Sequence, residues 1–287
     1  MVEQQQSDEN TIAESRRRFI GRNLLAAGAV ASTALLARTR VARADHHHGG
    51  GDGNGGNGGN GGNGGNGAPP PFNCFLKGTM IEVADGAKKV EDLVAGDRIP
   101  TLFGGLQSIQ WIGRYKFSKS DRSKPWAKGA LPVRVTQSAI APNVPSADLL
   151  VTPGHALFLD GVLVPAGSLV NGVTITLDPA HEHDVLEYFH IKLEGHDVIT
   201  AQGALVETLQ TVKEHAVNFA DYYREFGMPQ ADEQPCAPIL SYNGGVSELK
   251  SRMRSAMSPL IDRRQPIDVI RDRLEARAIE LSAAPAV

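Results

Sequence analysis

The chain has 287 residues, a formal net charge of −3 and 41% apolar side chains, so it can bury a core but carries no basic excess for nucleic acid as a main partner. Its two cysteines, Cys74 and Cys236, are too few for a disulfide framework, and a single Cys74–Cys236 bridge is the plain structural alternative for both.

The N-terminus reads as an export leader. Ser15-Arg16-Arg17-Arg18-Phe19-Ile20-Gly21 follows the twin-arginine pattern S-R-R-x-F-[IL]. A small apolar run from Leu24 to Ala37 comes next, too short to span a bilayer but suited to a signal-peptide core. Ala42-Arg43-Ala44 then supplies an A-x-A cleavage site. Residues 1–44 are therefore expected to direct the chain, already folded, through the twin-arginine pathway to the periplasm or the exterior. No later apolar run is long enough to span a membrane.

Residues 45–71 hold His46-His47-His48, repeated Gly-Gly-Asn and Pro69-Pro70-Pro71. Glycine loses the most backbone entropy on folding and buries no side chain, so this tract is expected to be a disordered linker. Its histidines have no scaffold to fix a metal geometry. Neither metal nor cofactor is expected anywhere in the chain.

From Cys74 to Thr208 short extended runs are broken by Gly, Pro and Asp. Thr79 to Val83 alternates, and Lys88 to Leu93 leads into the Ala95-Gly96-Asp97 turn. Further extended runs are Ile109 to Ile112, Leu131 to Thr136 and Leu149 to Thr152. Ala156 to Leu159 and Val162 to Val164 flank Asp160-Gly161, a two-residue hairpin signal. Val173 to Leu177 and Glu187 to Leu193 complete the set. Regularly spaced short strands predict an all-β domain over residues 72–209, with some strands bent to share one core.

Beyond residue 210 the period changes to helical. Val212 to Phe226, Val246 to Ala256 and Ile267 to Leu281 are predicted helices, the last opening on Pro266. Residues 210–287 thus form a helical extension without an evident catalytic group.

Cys74 through Ile81 and Val90 through Ile99 resemble the opening strands and turn of the Hint domains, the family shared by inteins and the autoprocessing domain of hedgehog proteins. Trp111 to Arg114, Leu150 to His155, and Glu187 to His190 through Glu207-Thr208 extend the likeness in family order, and the set closely resembles bacterial Hint-domain proteins of the intein-like group. The resemblance implies a self-processing domain whose substrate is its own N-terminal segment, with Asn73–Cys74 as the scissile bond. An amide nitrogen is a poor leaving group. Attack by the Cys74 sulfur on the Asn73 carbonyl therefore gives a thioester only if that nitrogen is protonated, the role implied for His155. Thr152 is implied to hold the scissile carbonyl or amide by its hydroxyl. His190 falls where inteins carry an aspartate, and His196 where they often carry another functional histidine; both could equally be strand-end histidines capped by backbone. His181-Glu182-His183 has no partner motif to complete a zinc set.

Two departures narrow the expectation. Inteins end in His-Asn, whose asparagine cyclises; here Val206-Glu207-Thr208 stands at that place and the chain runs on, so cleavage without splicing is expected. Gly113 stands where hedgehog proteins place a sterol-activating aspartate, which leaves sterol transfer unsupported and the acceptor nucleophile open. Two other classes remain: a Hint-fold binding or structural module that cleaves weakly or not at all, and a cysteine hydrolase using Cys74 and His155 in trans.

Overall fold

In the computed structural model the described residues are 73–283, apart from 120, 122, 127, 213–215, 229–233, 241–244 and 259–260. The leader and linker expected over 1–44 and 45–71 lie outside them. Among the described residues the short extended runs form fourteen strands. The first seven are β1 (Phe75–Leu76), β2 (Met80–Val83), β3 (Gly86–Lys89), β4 (Arg98–Thr101), β5 (Gly105–Ser108), β6 (Trp111–Ser118) and β7 (Val133–Val135). Then come β8 (Leu149–Val151), β9 (Ala156–Leu159), β10 (Val162–Pro165), β11 (Ile175–Leu177), β12 (Val185–Lys192), β13 (Val198–Ala201) and β14 (Ala204–Glu207).

They make two six-stranded sheets, ordered β11-β7-β8-β1-β12-β6 and β10-β9-β14-β13-β2-β3, with β4 and β5 paired separately. The all-β expectation holds. The Asp160-Gly161 turn joins β9 to β10 with both residues at positive φ, 51° and 86°, which matches the right-handed twist of the flanking strands. The longest ladder pairs β6 with β12 from Trp111 opposite Lys192 to Ser118 opposite Val185. From Tyr188 to Lys192 every residue of β12 is buried, because this strand lies inside the sheet and is covered on both faces.

Among the described residues three helices follow: α1 (Phe219–Phe226), α2 (Gly245–Met257) and α3 (Pro266–Ala283). The helix predicted from Val212 begins only at Phe219. Strand β6 is the reason. Its outer edge is taken by the Val217 N–H donating to the Arg114 carbonyl at 2.7 Å, and by Asn218, whose Oδ1 accepts the Arg114 N–H at 2.9 Å while Nδ2 donates to the Ile112 carbonyl at 2.8 Å. Edge pairing wins over local helical preference there, and it covers backbone groups that would otherwise be an open template. The edge of β10 is covered likewise, by residues Pro238 to Leu240 bonded to both backbone groups of Leu163.

Helix α3 is part of the main core rather than a loose extension. Ile267, Ile270 and Leu274 pack in one cluster with Phe75, Ile81, Leu157 and Ile199. Asp268, fully buried, ties α2 to α3 by accepting from Arg254 Nε at 2.6 Å. Leu274→Ala should therefore destabilise the fold by about 2–5 kcal/mol through lost burial and a residual cavity. Ile279→Ala, on the exposed face of the same helix, should stay within about 0.5 kcal/mol. Urea unfolding of both variants checks this; equal effects would mean that α3 is not docked as described.

Candidate functional site

The site follows from the register of a two-residue strand. Phe75 in β1 is opposite Val151 of β8 and Phe189 of β12. One step back along both antiparallel pairs, Cys74 is level with Thr152 and His190. Hydrogen bonds bear this out on one side: the Thr152 N–H donates to the Cys74 carbonyl at 2.9 Å. The Cys74 N–H donates in turn to Thr152 Oγ1 at 2.8 Å. The nitrogen of the Asn73–Cys74 bond is thus held by a threonine hydroxyl in a buried setting.

His155 closes the tight turn after β8, its N–H bonded to the Thr152 carbonyl at 3.0 Å. Its ring is fully buried and lies 4.3 Å from the Phe75 ring and 5.2 Å from His190, stacked on the latter. Nε2 meets the Glu207 carbonyl at 3.1 Å, and since a carbonyl only accepts, Nε2 carries the proton. Nδ1 is then the bare nitrogen, with no hydrogen-bond partner among the described residues. Burial lowers the His155 pKa, outweighing Glu207 and the Cys74 backbone, which favour the charged form. The ring is neutral near pH 7, so it can accept a proton before it donates one.

His190 is also fully buried, and burial first, with His155 second, pushes its pKa well below the ordinary value. Neither ring nitrogen finds a hydrogen-bond partner among the described residues. Gly113 faces His190 across the β6–β12 ladder, and a Cβ there would lie 2.8 Å from the Trp111 ring, so a side chain at this position would force that ring to shift. His196 lies in the turn before β13, where Nδ1 accepts the Cys236 N–H at 3.0 Å and Nε2 is 3.5 Å from Glu207 Oε2. Burial opposes its charge, but the Cys236 side chain and the Glu207 carboxylate outweigh it and hold His196 up at about 9. In the neutral ring the accepted Cys236 N–H places the single proton on Nε2, facing the carboxylate; the charged ring gives up that acceptance and donates from both nitrogens.

Cys74 and Cys236 are both free thiols, the first buried and the second half-buried, so the alternative of a bridge between them is not realised. Burial pushes the Cys74 thiol well above its ordinary pKa. It packs in a cluster with Trp111, Tyr115, Trp126 and Tyr188. The resting thiol is therefore protonated near neutral pH.

The residue that sequence reasoning missed is Glu207. Its carboxylate is 3% exposed, and Oε1 accepts both the Ala156 N–H and Asn73 Nδ2, each at 2.8 Å. In the sequence it signals only a missing asparagine; the one available cue was an acidic residue ending an otherwise apolar strand. His181 and His183 are exposed, and among the described residues no group of three or more His, Cys, Asp or Glu is arranged to hold a metal ion.

Opposed histidine shifts dictate how stability varies with pH. His155 and His190 have lowered pKa values in the fold, so their full stability is present above the free-histidine value of ~6.5 and falls as acid charges the unfolded chain first. His196, raised to about 9, contributes fully below ~6.5, and that contribution is lost as pH rises through 9. Wild-type stability should thus fall between about pH 7 and about pH 5, and His190→Leu should fall less steeply over that span. Urea midpoints at the two pH values decide it, and parallel losses in both proteins would refute the assignment of a buried neutral His190.

A family model described as "Hint domain" matches residues 73–213. No curated protein matches the chain. Among solved structures, the gp41-1 intein is similar at 13% identity and TM-score 0.34, covering 47% of this chain and 98% of its own. The DnaB intein from Synechocystis sp. PCC 6803 is similar at 12% identity and TM-score 0.34, covering 48% and 99%. A bacterial intein-like domain from Clostridium thermocellum is similar at 15% identity and TM-score 0.35, covering 47% and 98%. With the family match spanning the β sheets and every strand of the site, residues 73–213 belong to the Hint-domain superfamily.

Proposed function

We propose that this domain cleaves its own N-terminal segment by an N–S acyl shift at Asn73–Cys74. The observation that carries the reading is the Cys74 N–H held by Thr152 Oγ1 at 2.8 Å, in a buried cluster with His155. Sγ of Cys74 adds to the Asn73 carbonyl carbon while its proton passes to a base, for which neutral His155 is the nearest candidate in kind. The tetrahedral carbon then expels the Cys74 nitrogen, which takes a proton as the C–N bond breaks and the C–S bond remains. Thr152 fixes the leaving nitrogen by one N–H, so its rising lone pair has a set direction. A cysteine with no exposed surface argues against catalysis on a substrate in trans.

The substrate on this reading is the segment ending at Asn73, and neither nucleic acid nor a membrane is a partner. Residues 15–44 support export through the twin-arginine pathway, with the domain working in the periplasm or outside the cell. Splicing is not part of the activity. It requires a cyclising side chain at the end of β14, and Glu207-Thr208 offers none there; Leu209-Gln210, beyond Thr208, carries no nucleophile.

Several outcomes test this. Dithiothreitol should accelerate release of a fragment ending at Asn73, and Cys74→Ala should abolish release. His155→Ala should slow it by about 10²- to 10⁴-fold, the usual worth of a positioned proton-transfer group. Thr152→Ala should cost less. Because burial raises the Cys74 pKa, release should quicken as pH rises through the mildly alkaline range. Mass spectrometry of timed samples reads all of these, and a Cys74→Ala protein cleaving at the wild-type rate would falsify the mechanism. A joined product linking the Gly-Asn tract to residues 212–287 would overturn the claim that splicing is absent.

A further inference from the structure

Asn73 contributes more than a carbonyl. Its side-chain Nδ2 donates to Glu207 Oε1 at 2.8 Å, across 134 residues of sequence. The carboxylate making this contact is buried and oriented by three other groups. The Ala156 N–H holds the same oxygen, His196 Nε2 lies 3.5 Å from the other, and the Glu207 carbonyl is engaged by His155. A buried carboxylate is costly, and one held this firmly against a side-chain amide is positioned to take a proton from it. The amide so addressed belongs to the residue whose carbonyl becomes the thioester, and its Nδ2 can reach that carbonyl carbon by closing a five-membered ring.

We propose that Asn73 is itself the nucleophile that resolves the thioester, with Glu207 as its general base. This rests on the thioester reading given above. Nδ2 attacks the Asn73 carbonyl carbon while one of its hydrogens passes to Glu207 Oε1. A C–N bond forms, the C–S bond breaks, and the electron pair of that bond leaves on Cys74 Sγ. The proton taken by Glu207 restores the Cys74 thiol. No water is consumed, no oxidant is needed, and the N-terminal segment departs with a C-terminal cyclic imide. Ring closure within one residue avoids the entropy cost of recruiting a second molecule, for which effective molarities reach ~10⁵ M and above. Water later opens the imide to asparagine or its isomer. The domain is then a self-sufficient cleaving device whose acceptor is built into the substrate.

The full chain is incubated without thiol, quenched in acid at early times and its fragments weighed. The expected N-terminal fragment is lighter by one water than the acid ending at Asn73. A parallel set with dithiothreitol measures how much thioester can be intercepted. In Asn73→Ala and in Glu207→Gln, which keeps an acceptor for the Ala156 N–H, release without thiol should fall at least about tenfold relative to the same variant's release with thiol. Because each variant is its own control, a misfolded protein is recognised by failing in both arms, and Asn73→Gln, which lengthens the side chain by a methylene, then serves as the replacement. Appearance of only the acid from the earliest time, with Asn73→Ala keeping the wild-type ratio, overturns the proposal in favour of water. Absence of any thiol-released fragment from the wild type overturns the thioester reading, and this inference with it.

Discussion

The register of β1 is the constraint on which the rest of the site depends. Two residues long, it sits in the middle of a six-stranded sheet between β8 and β12. Side chains alternate along a strand, so a slip of one residue would move Cys74 from its present level and separate its amide from Thr152. A strand so short cannot enforce register by its own ladder. Phe75 does that work, fully buried among Val151, Ile191 and the His155 ring, where an aromatic side chain has one place to go. The Asn73–Cys74 bond is therefore located by core packing, and the proposed chemistry would inherit its geometry from a hydrophobic contact.

Around that point the fold tolerates an unusual density of buried polar groups: Thr152, His155, His190, His196, Glu207 and Thr208. Most are satisfied by a chain of bonds between the ends of β8, β13 and β14. The Asp197 N–H, for instance, goes to Thr208 Oγ1 at 2.9 Å, and the Thr208 N–H returns to the Asp197 carbonyl at 2.8 Å. The exceptions are ring nitrogens of His155, His190 and His196. Unsatisfied groups in an otherwise closed network cost stability, and their gathering at one locus is what a site, rather than a core, requires.

Local chemistry made much of this legible in the sequence. The Asp160-Gly161 hairpin and the Thr152 to His155 turn are set by neighbours in the chain, and short-range preference was enough to read them. His190 and His196 could be named from their places in the pattern but not paired with a partner, since their surroundings come from β1, β8 and β14. Glu207 was opaque for a stronger reason: its meaning lies in contacts to Asn73 and Ala156, far away in sequence. The helical start predicted at Val212 is too early because Val217 and Asn218 bond the Arg114 and Ile112 backbone on the edge of β6. That edge is invisible to a local window.

The complete burial of Cys74 bears on the direction of the proposed acyl shift. In the thioester form its nitrogen is a free α-amine rather than an amide. An ammonium there would be stripped of water, so the amine is held neutral and below its free value of ~7.7–8.0. A neutral amine bonded to the same residue as the thioester sulfur is the best nucleophile for remaking the peptide. The proposed acyl shift would thus be reversible by construction, its balance lying toward the intact chain. The proposed thioester would then be a transient borrowed from an equilibrium, which a single irreversible capture ends.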